Sequence, residues 1–289
     1  LPFFQNKKIK NFFAKLLFLM KKLTFVRIFF PKNKKSMYKV KRHPEREMIF
    51  GIRSLIEAIK SGKTIEKIML RRDMNNQLLL ELFAAAASEN IPIQKVPLEK
   101  LNQLTSKNHQ GAIAFISSVE FQLLENIVPA LYEQGENPYI IVLDGITDVR
   151  NFGAIARTAQ CAGVNAIVVP TVGSAAINAD AIKTSVGALL TLPVCRVQNL
   201  KNALRFLRES GLNIIAVTEK TDINYTAVSY TDPLALVLGA EDRGISPEIL
   251  NMCSKRAAIP LFGTIESLNV SVAAGVAMYE VVRQRKNLE

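Results

Sequence analysis

The 289-residue sequence has little of what metal, disulfide or nucleophilic chemistry needs. Its three cysteines, Cys161, Cys195 and Cys253, lie 34 and 58 residues apart. That spacing fits no structural zinc pattern, and an odd number leaves no complete disulfide framework. They read as a reduced set of small, buried, apolar residues. The only histidines are His43 and His109. No protein-bound metal is therefore expected, and neither is a triad hydrolase, because both histidines are far from any Ser or Cys in a nucleophile context. Fourteen Gly and twelve Pro are too few for a low-complexity chain. There is no G-x-x-x-x-G-K-[ST], no G-x-S-x-G, and no G-x-G-x-x-G after a predicted strand. P-loop NTPases, elbow hydrolases and the ordinary dinucleotide and methyltransferase glycine loops drop out.

Acidic residues are missing from one end. Residues 1–36 hold ten of the 37 Lys and Arg and no Asp or Glu, whereas the rest of the chain is nearly balanced, 27 against 25. The net charge of +12 thus describes an arm more than a folded body. Within 11–30 the longest uncharged stretch is 16–20, far short of the roughly 20 apolar residues of a membrane span. No small-residue cleavage site of a secretory signal follows it. The expectation for residues 1–47 is a basic extension, disordered or a misassigned start, with a nucleic-acid arm and membrane contact as alternatives. No membrane partner and a cytoplasmic location are expected.

What is present alternates. Apolar spacing predicts helices over 52–59, 78–88 and 98–104 and strands over 66–70, 93–96 and 111–117, a small α/β layer domain over 48–119. Residues 120–138 read as a linking helix ended by a Gly-Glu-Asn-Pro turn. Beyond it, strands are predicted at 139–143, 166–169, 192–194, 213–217, 235–238 and 257–259. Between and after them come helices at 151–162, 179–189, 200–209, 245–252 and 268–285. Continuous apolar strands separated by helices argue a mostly parallel sheet covered on both faces. Function in such a sheet lies in loops beyond the carboxyl ends of the strands.

Three strand-to-loop junctions carry polar residues. In 143–159 a strand ends at Asp144 and a helix opens near Asn151, with Arg157 interrupting its apolar face. Asn151 and Arg157 lie about 9 Å apart along a helix axis and about 120° apart in rotation, so both border one groove without stacking. Arg157 alone reads equally as a surface or interface residue. In 236–246 a strand runs into Gly239, then Glu241, Asp242, Arg243 and Gly244, with a helix capped near Ser246. In 259–275 a short strand passes into the start of an Ala/Val-rich helix, with Ser267 as its expected N-cap. Asn269 is the odd residue there, an amide inside an apolar stretch that needs partners. His109, in Asn108-His109-Gln110-Gly111, reads as a structural turn histidine, with substrate contact as the alternative.

Together, in this order, these junctions resemble the SpoU (TrmH-like) RNA ribose 2′-O-methyltransferases of the SPOUT superfamily. N-F-G-A-I-A-R-T-A matches the first family motif, L-V-L-G-A-E-D-R-G-I-S the second, and I-P-L-F-G-T-I-E-S-L-N-V-S-V-A-A-G the third. The resemblance covers 139–289, while I-F-G-I-R-S-L-I-E-A-I and N-H-Q-G within 48–119 resemble the L30e-like substrate-binding domain of rRNA-modifying members. It implies an α/β fold: a small L30e-like domain, then a SPOUT catalytic domain with a mostly parallel sheet and a C-terminal trefoil knot. S-adenosylmethionine is the implied cofactor, with Leu238, Gly239, Ile259, Leu261 and Leu268 at its pocket. Asn151, Arg157, Glu241, Ser267 and Asn269 are the implied catalytic set, in a site shared across a homodimer. By resemblance Arg157 serves as base; because a guanidinium holds its proton, stabilising the developing oxyanion is an equal reading. The implied substrate is RNA: guanosine in large-subunit (23S) rRNA first, tRNA second. The alternative of another class is an inactive RNA-binding factor in ribosome assembly, which the intact motifs disfavour. Asp242-Arg243 departs from the small residues usual after the motif glutamate.

Overall fold

The computed structural model of the protein describes residues 47–286. The basic segment 1–36, and with it nearly all of the expected extension, lies outside those residues. Among the described residues no helix is long and apolar enough to cross a membrane.

The first layer is a four-stranded mixed sheet of order β1-β4-β2-β3, formed by β1 (Met48–Phe50), β2 (Ile65–Arg71), β3 (Ile93–Val96) and β4 (Ala112–Ile116). β4 runs antiparallel to both β1 and β2, and β3 parallel to β2. Helix α1 (Ile52–Lys60) buries Ile52, Leu55, Ile56 and Ile59, the i, i+3, i+4, i+7 stripe of an amphipathic helix, against this sheet. Helix α2 (Leu79–Ser88) closes the same core with Leu82 and Ala86, while α3 (Leu98–Leu104) covers the other face with Leu101. β1 escapes the periodicity reading because three residues are too few to show a period. It is a strand because Met48, Ile49 and Phe50 find Phe115, Ala114 and Ile113 of β4.

The second layer is a seven-stranded sheet of order β11-β9-β10-β6-β7-β8-β5, parallel at every pairing. Its strands are β5 (Phe121–Gln122), β6 (Tyr139–Asp144), β7 (Ala166–Pro170), β8 (Val194–Val197), β9 (Asn213–Val217), β10 (Leu234–Gly239) and β11 (Lys255–Ala257). Along β6, Tyr139, Ile141 and Leu143 enter one core while Ile140 and Val142 enter the other. A strand with both faces covered is therefore an unbroken apolar run. Helices α4 (Leu124–Glu133) and α7 (Leu200–Glu209) pack on one face, and α5 (Val149–Cys161) and α9 (Val270–Lys286) on the other. From β6 the chain builds β7 and β8 to one side and then β9 and β10 to the other. The strand order therefore reverses where β6 meets β10, with Asp144 opposite Gly239. Ligand crevices in open parallel sheets form at such a reversal.

Several boundaries differ from the expectations, each for a local reason. The stretch 120–138 is not a free linker: Phe121 and Gln122 pair with β8, and α4 buries Leu124, Val128 and Leu131 in the larger core. The strand expected at 192–194 is Val194–Val197, displaced because Arg196 breaks the apolar run while its strand is buried. The helix expected over 179–189 ends as α6 (Ala179–Thr184), because Val186 and Gly187 take φ of 53° and 83°; a short 3-10 turn (Ala188–Leu190) follows. The helix expected over 245–252 is the single turn α8 (Pro247–Leu250), started by a proline whose missing N–H suits the first helical position. The third-junction strand lies at Lys255–Ala257, not 257–259. Of the three cysteines only Cys195 is buried, Cys253 is half-buried and Cys161 is exposed, so the expectation of three buried thiols holds for one. Burial pushes the Cys195 and Cys253 thiols up to about 12.

Candidate active site

Helix α5 begins at Val149 because Asp148 caps it: one carboxylate oxygen accepts from the Arg150 and Asn151 backbone N–H groups, both at 2.8 Å. With its backbone satisfied, Asn151 is free to send its side chain out of the helix start, where Nδ2 donates to Glu241 Oε1 at 2.6 Å.

Glu241 stands in a closed turn after β10. Ala240 and Gly244 exchange backbone hydrogen bonds of 3.1 and 2.8 Å, and Gly244 takes φ of 67°. A Cβ on Gly239 would collide with the Gly244 and Ile245 backbone, so the turn itself requires glycine there. Within this turn Glu241, Asp242 and Arg243 are all exposed. Behind it, the Ser246 N–H donates to Asp144 Oδ2 at 2.7 Å, which ties the loop to the end of β6.

Asn269 completes the cluster. Its Nδ2 donates to Glu241 Oε1 at 2.6 Å and to Asn151 Oδ1 at 3.1 Å. Its Oδ1 accepts from the Ser271 N–H at 3.0 Å, and its backbone oxygen accepts from Val272 and Ala273. Asn269 is therefore the cap of α9, which corrects the expectation that Ser267 plays that part. It also explains the odd amide: one side chain both starts the helix and joins the polar cluster. Glu241 Oε1 thus gathers both asparagine amides, and among the described residues Oε2 makes no hydrogen bond.

Beside the cluster opens a cavity of about 410 Å³, walled by the loops 217–220, 238–245 and 259–268 and by the first turn of α9. Leu238, Gly239, Glu241, Ile259, Leu261, Ser267 and Leu268 all line it, seven of the ten residues expected at the site. Residues 259–268 make no backbone–backbone hydrogen bond among the described residues. Their N–H and C=O groups must be met by water or a ligand. Ile259 and Leu268 accordingly offer open main-chain groups beside apolar side chains. This donor set fits a flat heteroaromatic ligand with polar edges, as the adenosyl part of S-adenosylmethionine is. The glycine at 239, in contrast, is accounted for by the turn alone.

Arg157 is an expected residue whose side chain makes no hydrogen bond or ion pair with another described residue, and it lies on the exposed side of α5. The wall formed by Thr218, Glu219 and Lys220 was not anticipated; the one signal for it is that these residues follow the carboxyl end of β9. His109 is structural: Nδ1 accepts from the Gly111 N–H at 3.0 Å, so Nε2 carries the proton and donates to Asn102 Oδ1 at 2.9 Å. Among the described residues no group of three or more His, Cys, Asp or Glu is placed to hold a metal ion.

Comparison with known proteins agrees with this geometry. Residues 138–279 match the model of the SpoU rRNA Methylase family, and residues 48–122 match the RNA 2′-O ribose methyltransferase substrate binding model. The chain is 37% identical over 243 residues to the 23S rRNA (guanosine-2′-O-)-methyltransferase RlmB of Yersinia pestis, covering 83% of this chain and 98% of that one. It is 34% identical over 241 residues to a protein of Staphylococcus saprophyticus assigned to the TrmH family of tRNA/rRNA methyltransferases, covering 83% and 97%. In fold it is similar to the AdoMet-bound rRNA methyltransferase from Sinorhizobium meliloti, with a TM-score of 0.53, 22% identity, and 83% and 87% of the two chains covered. A polar cluster at the strand-order reversal, a cavity walled by the second and third motif loops and these matches agree: the chain belongs to the SpoU rRNA methylase family, the S-adenosylmethionine-dependent RNA 2′-O-ribose methyltransferases.

Proposed function

We propose that the protein methylates the ribose 2′-hydroxyl of a guanosine in large-subunit rRNA, in the cytoplasm and as a homodimer. The observation that carries this reading is the convergence of Asn151, Glu241 and Asn269 at the side of the 410 Å³ cavity. The substrate rests on the similarity to the Yersinia pestis guanosine methyltransferase.

Bound in the cavity, S-adenosylmethionine supplies a methyl group on a sulfonium. Leu238, Gly239, Ile259, Leu261 and Leu268 would hold it, through the open main-chain groups of Ile259 and Leu268 and the apolar side chains beside them. Glu241 locks the Asn151 and Asn269 amides by accepting from both, so they meet the ribose as fixed dipoles without reorganising. Ser267 adds a hydroxyl at the same rim. Arg157 acts through its charge, because a guanidinium keeps its proton and stabilises an oxyanion better than it removes a proton. Within one chain Arg157 makes no hydrogen bond to the cluster, and Arg157 of a second copy completes the site. The trefoil knot belongs to this proposal: the chain threads where 217–220, 238–245 and 259–268 wall the cavity.

The test is transfer of labelled methyl to unmodified large-subunit rRNA and, separately, to unmodified tRNA. The expected result is label in rRNA, surviving alkali as a 2′-O-methyl linkage. Label in tRNA alone overturns the substrate. Label in neither overturns the reaction in favour of an RNA-binding assembly factor.

A further inference from the structure

A second cavity, of about 240 Å³, opens beside the first at the carboxyl ends of β6 and β7 and next to the start of α7. The two cavities share Arg243. Its guanidinium lies over the bare backbone of Gly145, where any side chain would collide with it. Four charged groups line this second cavity, and three have partners. Lys201 Nζ and Glu248 Oε2 pair at 2.7 Å, and Asp144 Oδ2 accepts the Ser246 N–H. Arg243 alone has none: it is exposed and makes no hydrogen bond or ion pair among the described residues. Its neighbour Asp242 faces the cofactor cavity instead.

A small cavity in which a guanidinium is the one charged group without a bonded partner among the described residues, flanked by the Gln198 and Asn199 amides, suits an anion rich in acceptor oxygens. We propose that Arg243 and this cavity hold the RNA phosphodiester that flanks the methylated ribose. The inference rests on the ribose methylation proposed above. The planar fork of arginine matches two phosphate oxygens at once. Placed two residues after Glu241, such a contact holds the backbone beside the cavity while the ribose faces the cluster. Phosphate contacts of this kind set register and carry no base preference.

The experiment compares wild type, Arg243→Ala and Arg243→Lys in methyl transfer to unmodified large-subunit rRNA over a range of salt, with S-adenosylmethionine affinity measured by calorimetry. Arg243→Ala should raise the KM for rRNA about tenfold and lower the salt slope of RNA binding by about one unit. Arg243→Lys should keep the slope and recover only part of the KM, since charge returns without the fork. A KM and slope equal to wild type overturn the proposal. So does a fall in S-adenosylmethionine affinity that parallels the rise in KM, which would assign Arg243 to the cofactor. Filter binding of rRNA by the same variants separates this from the reaction itself. A wild type that transfers no methyl overturns the function, while the slope difference still decides the Arg243 contact.

Discussion

The two sheets of this molecule dispose of their charged residues in opposite ways. On the four-stranded sheet and its helices, cations are spread over aromatic supports: Lys67 over Phe115 at 5.2 Å, Lys95 over Phe83 at 5.7 Å and Lys107 over Phe50 at 5.8 Å. On the seven-stranded sheet, the polar groups that matter converge beyond the carboxyl ends of β6 and β10, where Glu241 collects Asn151 and Asn269. One layer holds its cations singly and the other makes a single point of chemistry. Arg196 fastens them together. It rises from β8, donates to the Ile65 and Glu66 backbone oxygens at 2.8 and 2.7 Å, and lies 3.7 Å from the centre of the Phe121 ring. Burial lowers its pKa to about 10, against the pull of Glu66, so it stays charged at neutral pH, and its Nε has no partner. A buried cation without a bonded carboxylate is retained here for what it joins.

Substitutions that strike the converged layer should cost more than those that strike the spread one. The largest effect is expected at Gly239→Ala, where the new Cβ meets the Gly244 and Ile245 backbone. Urea unfolding should show a loss of about 3 kcal/mol or more. Next comes Arg196→Ala, which leaves the Ile65 and Glu66 carbonyls unpaired at the junction. The expected loss is about 2 kcal/mol, and an unchanged midpoint would show that the layers do not depend on this contact. Asn269→Ala should remove about 1 kcal/mol of helix capping and, with it, most methyl transfer, because the same side chain fixes Glu241. Loss of stability with activity retained would separate the cap from the site. Lys67→Ala is the smallest, about 0.5 kcal/mol for a half-buried cation–π contact, and a larger effect would mean the spread layer is not as tolerant as its surface indicates.

The sequence discloses this contrast unevenly. β6, β9 and β10 are legible because strands covered on both faces are unbroken apolar runs. β1 and β5 are not, since three and two residues carry no period and become strands only by pairing with β4 and β8. Arg196 hides β8 for the reason that makes it useful: a charge inside a buried strand breaks the pattern by reaching into the other layer. At the site, the three motif loops are legible: the second and third wall one cavity, and the first joins them through Asn151. The wall at 217–220 has no motif and emerges only when β9 is set beside β10. Asn269 is visible as an anomaly, but its double use as cap and cluster member needs the distances. Helical spacing along α5 does not contain which copy's Glu241 cluster Arg157 serves.

That choice makes one measurement the most direct. Arg157→Ala and Glu241→Gln subunits, each expected to be inactive alone, are co-expressed with different tags, purified as the mixed pair and assayed for methyl transfer to rRNA. If Arg157 of one copy completes the Glu241 cluster of the other, every mixed dimer carries one intact site and should regain about half of wild-type activity. If the mixed pair is as inactive as its parents, the shared site is wrong.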